Sequence, residues 1–151
     1  MLTHKYIALP PSTAKQEVTL QPGQNTELGS LSMTEMAGEE SLIILAASLV
    51  NQKGEVEAQI MNWPEPFRYL SWHEDTRVSV SVGVGGEEVR VKANYPVKGC
   101  LLYVGYEDGE DAEWEDNMLD LLPGRELSIK VKGLNGRAVL AKWLNDWELK
   151  K

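Results

Sequence analysis

The residue types able to do chemistry are plentiful in this sequence, but their spacing fits few reactions. The densest group is the acidic run Glu107-Asp108-Gly109-Glu110-Asp111-Ala112-Glu113-Trp114-Glu115-Asp116. Oxygen-rich loops can hold calcium, but a helix–loop–helix site needs Gly at its sixth position for the sharp turn. Counting from Asp108, Glu113 stands there instead. The run therefore reads as a solvated loop between strands. Paired carboxylates could also serve glycoside hydrolysis, where one acid must have its pKa raised by a buried setting. Every acidic cluster here falls in a turn or on the polar side of an alternating segment, so nothing supplies that setting. His4 and His73 are far apart in sequence and neither lies near the lone Cys100. No metal-ligand spacing and no nucleophile–base pairing is legible. Gly83-Val84-Gly85-Gly86 joins two strand-like segments with no Gly-Lys-Ser/Thr and no helix after it, which excludes a phosphate loop. No catalytic residue, metal or cofactor is expected.

The aromatic residues are the better candidates for contact. Trp114 sits inside the acidic run. It is expected to fold back onto a sheet, with stacking on a sugar ring as the alternative. Trp72 and Tyr95 are further stacking candidates. Asn62-Trp63-Pro64-Glu65-Pro66-Phe67-Arg68-Tyr69-Leu70 pairs two prolines with three aromatics. The prolines impose an extended path, so residues 62–72 read as a stiff connector. Trp63, Phe67 and Tyr69 are expected to wedge between two modules. Trp143 and Trp147 could share a helix face, but capping a sandwich suits them better.

The elements around these residues are strand-like throughout. Gln16–Leu20 and Glu27–Ser32 are predicted short strands flanking the turn Gln21-Pro22-Gly23-Gln24. Residues 33–40 read as a loop. Ser41–Val50 is an apolar strand, Asn51-Gln52-Lys53-Gly54 a hairpin loop, and Glu55–Met61 a return strand with Val56, Ala58 and Ile60 on a buried face. Val78, Val80, Val82 and Val84 then alternate, Gly85-Gly86 turns, and Val89, Val91 and Ala93 alternate back. Cys100–Val104 is a continuous apolar strand and Met118–Leu122 a short one. Leu127, Ile129 and Val131 alternate before Asn135-Gly136, the dipeptide favoured in type I′ hairpins. Ala138–Trp143 closes a set of about six strands, the pattern of a small antiparallel sandwich.

The whole chain has 151 residues, enough for one ordinary domain or two small ones. Its 23 acidic against 15 basic side chains give a net charge of −8. That argues against nucleic acid or an anionic membrane as partner. One cysteine excludes an internal disulfide, and no Asn-x-Ser/Thr site occurs. Lys5, Pro10 and Pro11 break any signal-peptide core in residues 1–20. A soluble, cytoplasmic protein is the expectation.

The 62–70 segment resembles the junction between the last two β-sandwich domains of fungal-type β-mannosidases of glycoside hydrolase family 2. Three further stretches resemble the final immunoglobulin-like domain of those enzymes. They are Pro96-Val97-Lys98-Gly99-Cys100, Trp114-Glu115-Asp116-Asn117-Met118-Leu119-Asp120-Leu121-Leu122-Pro123-Gly124, and Val131-Lys132-Gly133-Leu134. The similarity runs from about residue 15 to 145.

The resemblance implies an all-β chain of antiparallel immunoglobulin-like sandwiches. Residues 1–70 would be an incomplete penultimate sandwich and residues 73–151 the C-terminal domain. It implies a parent glycosidase that removes terminal, non-reducing β-D-mannose using two glutamates in a (β/α)8 barrel. In the family the acid/base glutamate follows an asparagine, and no Asn-Glu dipeptide occurs here. None of those residues carries over, so this chain alone is expected to be a non-catalytic module. Its expected partner is the catalytic barrel or another copy of itself. The alternatives are a carbohydrate-binding module taking mannosides and an adaptor that pairs through an exposed sheet edge.

Overall fold

The computed structural model describes residues 15–30, 44–54, 56–63, 72–105 and 110–146. The chain divides into two compact units, Met1–Ser71 and Trp72–Lys151. Among the described residues every regular element is a β-strand except one 3-10 turn at Leu144–Asp146. The fold is all-β and its strand ladders are antiparallel.

In the first unit, β1 (Leu45–Val50) pairs with β2 (Val56–Asn62) through the Asn51–Gly54 loop. The loop closes because the Asn51 carbonyl accepts from the Gly54 amide at 3.0 Å, with Gly54 at φ 85°. Ala47 faces Ile60 and Leu49 faces Ala58, which gathers the apolar residues on one side of the ribbon. Alternation predicted that this side would be buried. It is open instead: Val56 is 54% exposed and Ile60 70%. Period-2 patterning specifies which residues share a face but not whether a second layer covers it. Residues 15–30 also differ from expectation. The turn at Pro22-Gly23 forms, but neither Gln16–Leu20 nor the described part of Glu27–Ser32 is a strand. Isolated short segments gain too little without a paired neighbour. The predicted loop at 33–40 lies outside the described residues.

The second unit holds seven strands in two sheets. One has the order β3 (Val78–Val82), β4 (Glu88–Ala93), β8 (Glu126–Lys132), β6 (Glu113–Trp114). The other has the order β7 (Leu119–Leu121), β5 (Val97–Val104), β9 (Val139–Lys142). After the β3–β4 hairpin the chain changes sheet at every step. The inward residues of both sheets form one core: Val89 and Val91 from β4, Leu102 and Val104 from β5, Leu121 from β7, Val131 from β8. Each fully buried Val or Leu contributes ~1.5–3 kcal/mol relative to exposure.

Sequence patterning anticipated this unit well, with three corrections. Val84 does not extend β3; it stands on the hairpin loop, fully solvated, because Gly83 already closes the ladder by donating to the Glu88 carbonyl at 2.8 Å. Glu113–Trp114, read as loop, forms the short β6 against Lys132 and Val131. Asn135 (φ 50°) and Gly136 (φ 76°) make the expected primed turn, but it closes no hairpin: β8 and β9 lie in different sheets.

Candidate functional site

The carboxylates were the first candidates for chemistry, and four of the described ones, Asp111, Glu115, Asp116 and Asp120, hold backbone amides. Asp120 Oδ2 accepts from Lys98 Nζ at 2.8 Å, while its Oδ1 accepts from the Gly99 amide at 3.0 Å. The second bond matters because β5 bulges between Val97 and Cys100, where Gly99 takes φ 60°. The bulge shifts the alternation by one residue, so Val97 and Cys100 both face inward. Asp111 Oδ1 accepts from the Ala112 amide at 2.8 Å. Asp116 Oδ1 accepts from the Asn117 amide at 2.8 Å. Glu88 bonds Arg90 Nε at 2.7 Å, and that guanidinium holds its carboxyl below the usual carboxylate range on an open surface. No group of three or more His, Cys, Asp or Glu is placed to hold a metal ion among the described residues.

Asn117 continues the β5 ladder beyond β7. Its Oδ1 accepts from the Leu102 amide at 2.8 Å and its Nδ2 donates to the Leu102 carbonyl at 2.8 Å. Its Oδ1 also accepts from the Met118 amide at 2.9 Å, beside the positive φ of Met118. Asn94 does the same at the entrance to the unit: its Oδ1 accepts from the Arg77 amide at 2.7 Å and its Nδ2 donates to the Asp75 carbonyl at 2.9 Å. Neither amide was singled out from sequence, because an Asn in a turn carries no mark of a two-way clamp.

The aromatic candidates separate. Trp114 is half-buried on β6 against the core, and its indole N–H finds no acceptor. Trp143 likewise packs on the core, as capping predicted. Trp63 is buried in the first unit. Phe67 and Tyr69, with most of the 62–72 connector, and also His4 and Trp147, lie outside the described residues. Trp72 is half-buried in the second unit. Tyr95 stacks on His73 with centroids 3.6 Å apart and planes 12° from parallel. His73 Nδ1 accepts from the Asp75 amide at 3.3 Å, so the proton of the neutral ring belongs on Nε2, facing away from that contact. An open polar groove runs between Glu110–Glu113 and the Asn135-Gly136 turn. Its Arg137 guanidinium is used on backbone, donating to the carbonyls of Glu110 at 2.8 Å and Gly133 at 2.6 Å. Cys100 is buried in the core, and burial pushes its thiol up to about 11, so it stays neutral and inert.

A family model described as Mannosidase Ig/CBM-like domain matches residues 10–69. Over 124 residues, 80% of this chain, the sequence is 30% identical to a protein named Beta-mannosidase B from Thermothelomyces thermophilus. Over 132 residues, 85% of the chain, it is 29% identical to Beta-mannosidase B of Emericella nidulans. Residues 10–69 carry the mannosidase Ig/CBM-like match, and the chain is similar to these two relatives over most of its own length. It spans 14% and 15% of the length of those two relatives. The mannosidase match therefore reaches past the first unit into the second. The expected likeness to the C-terminal immunoglobulin-like domains of family 2 β-mannosidases holds.

Proposed function

We propose that this chain is a non-catalytic accessory module of a β-mannosidase, a β-sandwich unit that supports a catalytic (β/α)8 barrel formed by other parts of the polypeptide. The parent reaction would be hydrolysis of terminal, non-reducing β-D-mannose. Residues 1–70 would be part of the penultimate sandwich and residues 73–151 the terminal one, in a cytoplasmic enzyme. The observation that carries this reading is how the acids are used. Asp111, Asp116 and Asp120 each accept from backbone amides. Such carboxylates hold loops in place, whereas a retaining glycosidase needs two acids about 5 Å apart across a substrate. Incubating the purified chain with p-nitrophenyl-β-mannoside tests it. No release of nitrophenolate above a heat-denatured control is expected, and steady turnover overturns the proposal.

A second reading, direct sugar binding, is favoured by the His73–Tyr95 stack, with Trp72 next to His73 in sequence. Aromatic plates of this kind accept the apolar face of a pyranose. Titration with mannobiose, followed by tryptophan fluorescence, discriminates. A saturable change abolished in Tyr95→Ala but kept in Trp114→Phe supports binding at the stack. A flat titration rejects it.

A further inference from the structure

The two outer faces of the second unit differ in kind. The β3–β4–β8 face carries Ser79, Ser81, Arg90, Lys92, Ser128 and Lys130, all exposed. That is the polar outside expected of a sheet facing water. The β7–β5–β9 face is mixed: the Lys98–Asp120 ion pair occupies one end of it, while apolar side chains hold the other. Register places Leu101 opposite Lys142 and Tyr103 opposite Leu140, so the Tyr103–Leu140 pair and Leu101, beside the aliphatic stem of Lys142, point outward. Leu101 is 36% exposed, Leu140 45%, and neighbouring Met118 61%. Lys142 lays its ammonium 5.5 Å from the Tyr103 ring centre, at the margin of the strip. The inward alternation of β5 and β9 is already satisfied by Leu102, Val104, Val139 and Ala141. Leu101, Tyr103 and Leu140 thus add nothing to the core they sit behind.

We propose that this outer face of the β7–β5–β9 sheet is the surface by which the second unit packs onto the rest of a β-mannosidase polypeptide, with an apolar surface of that enzyme as its occupant. The inference rests on the accessory-module reading. Patch size selects the occupant. The exposed parts of Leu101, Leu140, Met118 and Tyr103 amount to at most a few hundred Å². A free-standing complex needs about 800 Å² from each partner, so a second copy in solution is a poor fit. A linked neighbour is presented at roughly millimolar effective concentration, and packed domains of one chain share interfaces of only ~600–1,500 Å² in total. The relatives are single polypeptides of which this chain matches 14–15%, so a linked neighbour is what such a segment has.

The test is a chimera: Thermothelomyces thermophilus Beta-mannosidase B with its matching segment replaced by that of this chain, alone or carrying Leu101→Lys with Leu140→Lys. The chimera should be stable and hydrolyse p-nitrophenyl-β-mannoside. The double substitution should shorten its half-life at elevated temperature on the order of tenfold, because two ammonium groups would be forced into an apolar contact. Arg90→Glu on the opposite face should leave that half-life unchanged. The isolated chain should keep its melting temperature with both lysines present. An unsubstituted chimera that is unstable and inactive overturns the accessory reading, and this inference with it. A sound chimera indifferent to the two lysines overturns the inference alone. So does a fall in the isolated chain's melting temperature, or a dimer of the isolated chain that the lysines dissolve.

Discussion

Truncating Asn117 to Ala should destabilise the second unit strongly, although the side chain is only half-buried. The reason lies in what it leaves behind. Its amide accepts from the Leu102 N–H and donates to the Leu102 carbonyl, both at 2.8 Å. Leu102 is fully buried, so those backbone groups have little access to water. A buried group left without a partner costs ~1–3 kcal/mol. Two such groups, with the Met118 amide bond also lost, give about 2–5 kcal/mol, toward the lower end if water enters beside the vacated amide. A domain of this size loses roughly 4–8 °C of melting temperature per kcal/mol, so a fall of at least ~10 °C is expected. Urea unfolding should be followed together with amide exchange at Leu102, since exchange reports the clamp directly. Asn117→Asp keeps the acceptor oxygen and loses the donor, so it should fall between the wild type and Asn117→Ala. A shift below ~0.5 kcal/mol for Asn117→Ala, with Leu102 exchange unaltered, would refute the clamp.

Gly99→Ala should cost ~1–2 kcal/mol through its φ of 60°, which disfavours a Cβ, and not through crowding, since Met118 Cε would sit at an ordinary contact of 3.5 Å; chemical denaturation measures it. Cys100 should resist a thiol reagent in the folded chain at pH 8 and react fully once the chain unfolds. Its folded-state value near 11 lies above the ordinary 9.0. The stability linked to the neutral thiol is therefore complete below pH 9 and fades as pH rises toward 11, which a melting series against pH will show. Ile60→Lys should leave the first unit's stability within about 0.5 kcal/mol, because Ile60 is 70% exposed. If the open hairpin face associates with another copy, sedimentation should lose that species in this variant.

The strands of the second unit were legible because their alternation is strict and their turns are marked by glycine pairs and Asn-Gly. Val78, Val80, Val89, Val91, Ile129 and Val131 all point where period 2 sends them. Three things were hidden. The bulge at Gly99 resets the phase of β5, and its glycine reads equally as a turn. The two-residue β6 is shorter than any periodicity can register. The exposure of Val56 and Ile60 depends on whether another layer is present, which a face pattern does not encode. The site fared less well for the same reason. Trp114 was expected to fold back onto a sheet and does so, but the means, one pair of ladder contacts with Val131 in an acidic stretch, could not be read from its neighbours. Asn94 and Asn117 act through contacts 15 to 19 residues away, to Asp75 and Leu102, and nothing local announces them.

The habit of changing sheet at each step after β4 has a cost in time. Within the described part of the second unit only β3 and β4 pair as sequence neighbours; β4 must wait for β8, and β5 for β9, each more than thirty residues further on. Distant pairings of this kind are made late and slowly, in milliseconds to seconds. No break point within β4 to β9 yields a fragment that keeps its partners. A chain emerging from the ribosome would hold the second edge of β4, and the β9-facing edge of β5, unpaired until β8 and β9 had been synthesised. During that interval the exposed β3–β4 hairpin is the part most open to pairing with the wrong strand.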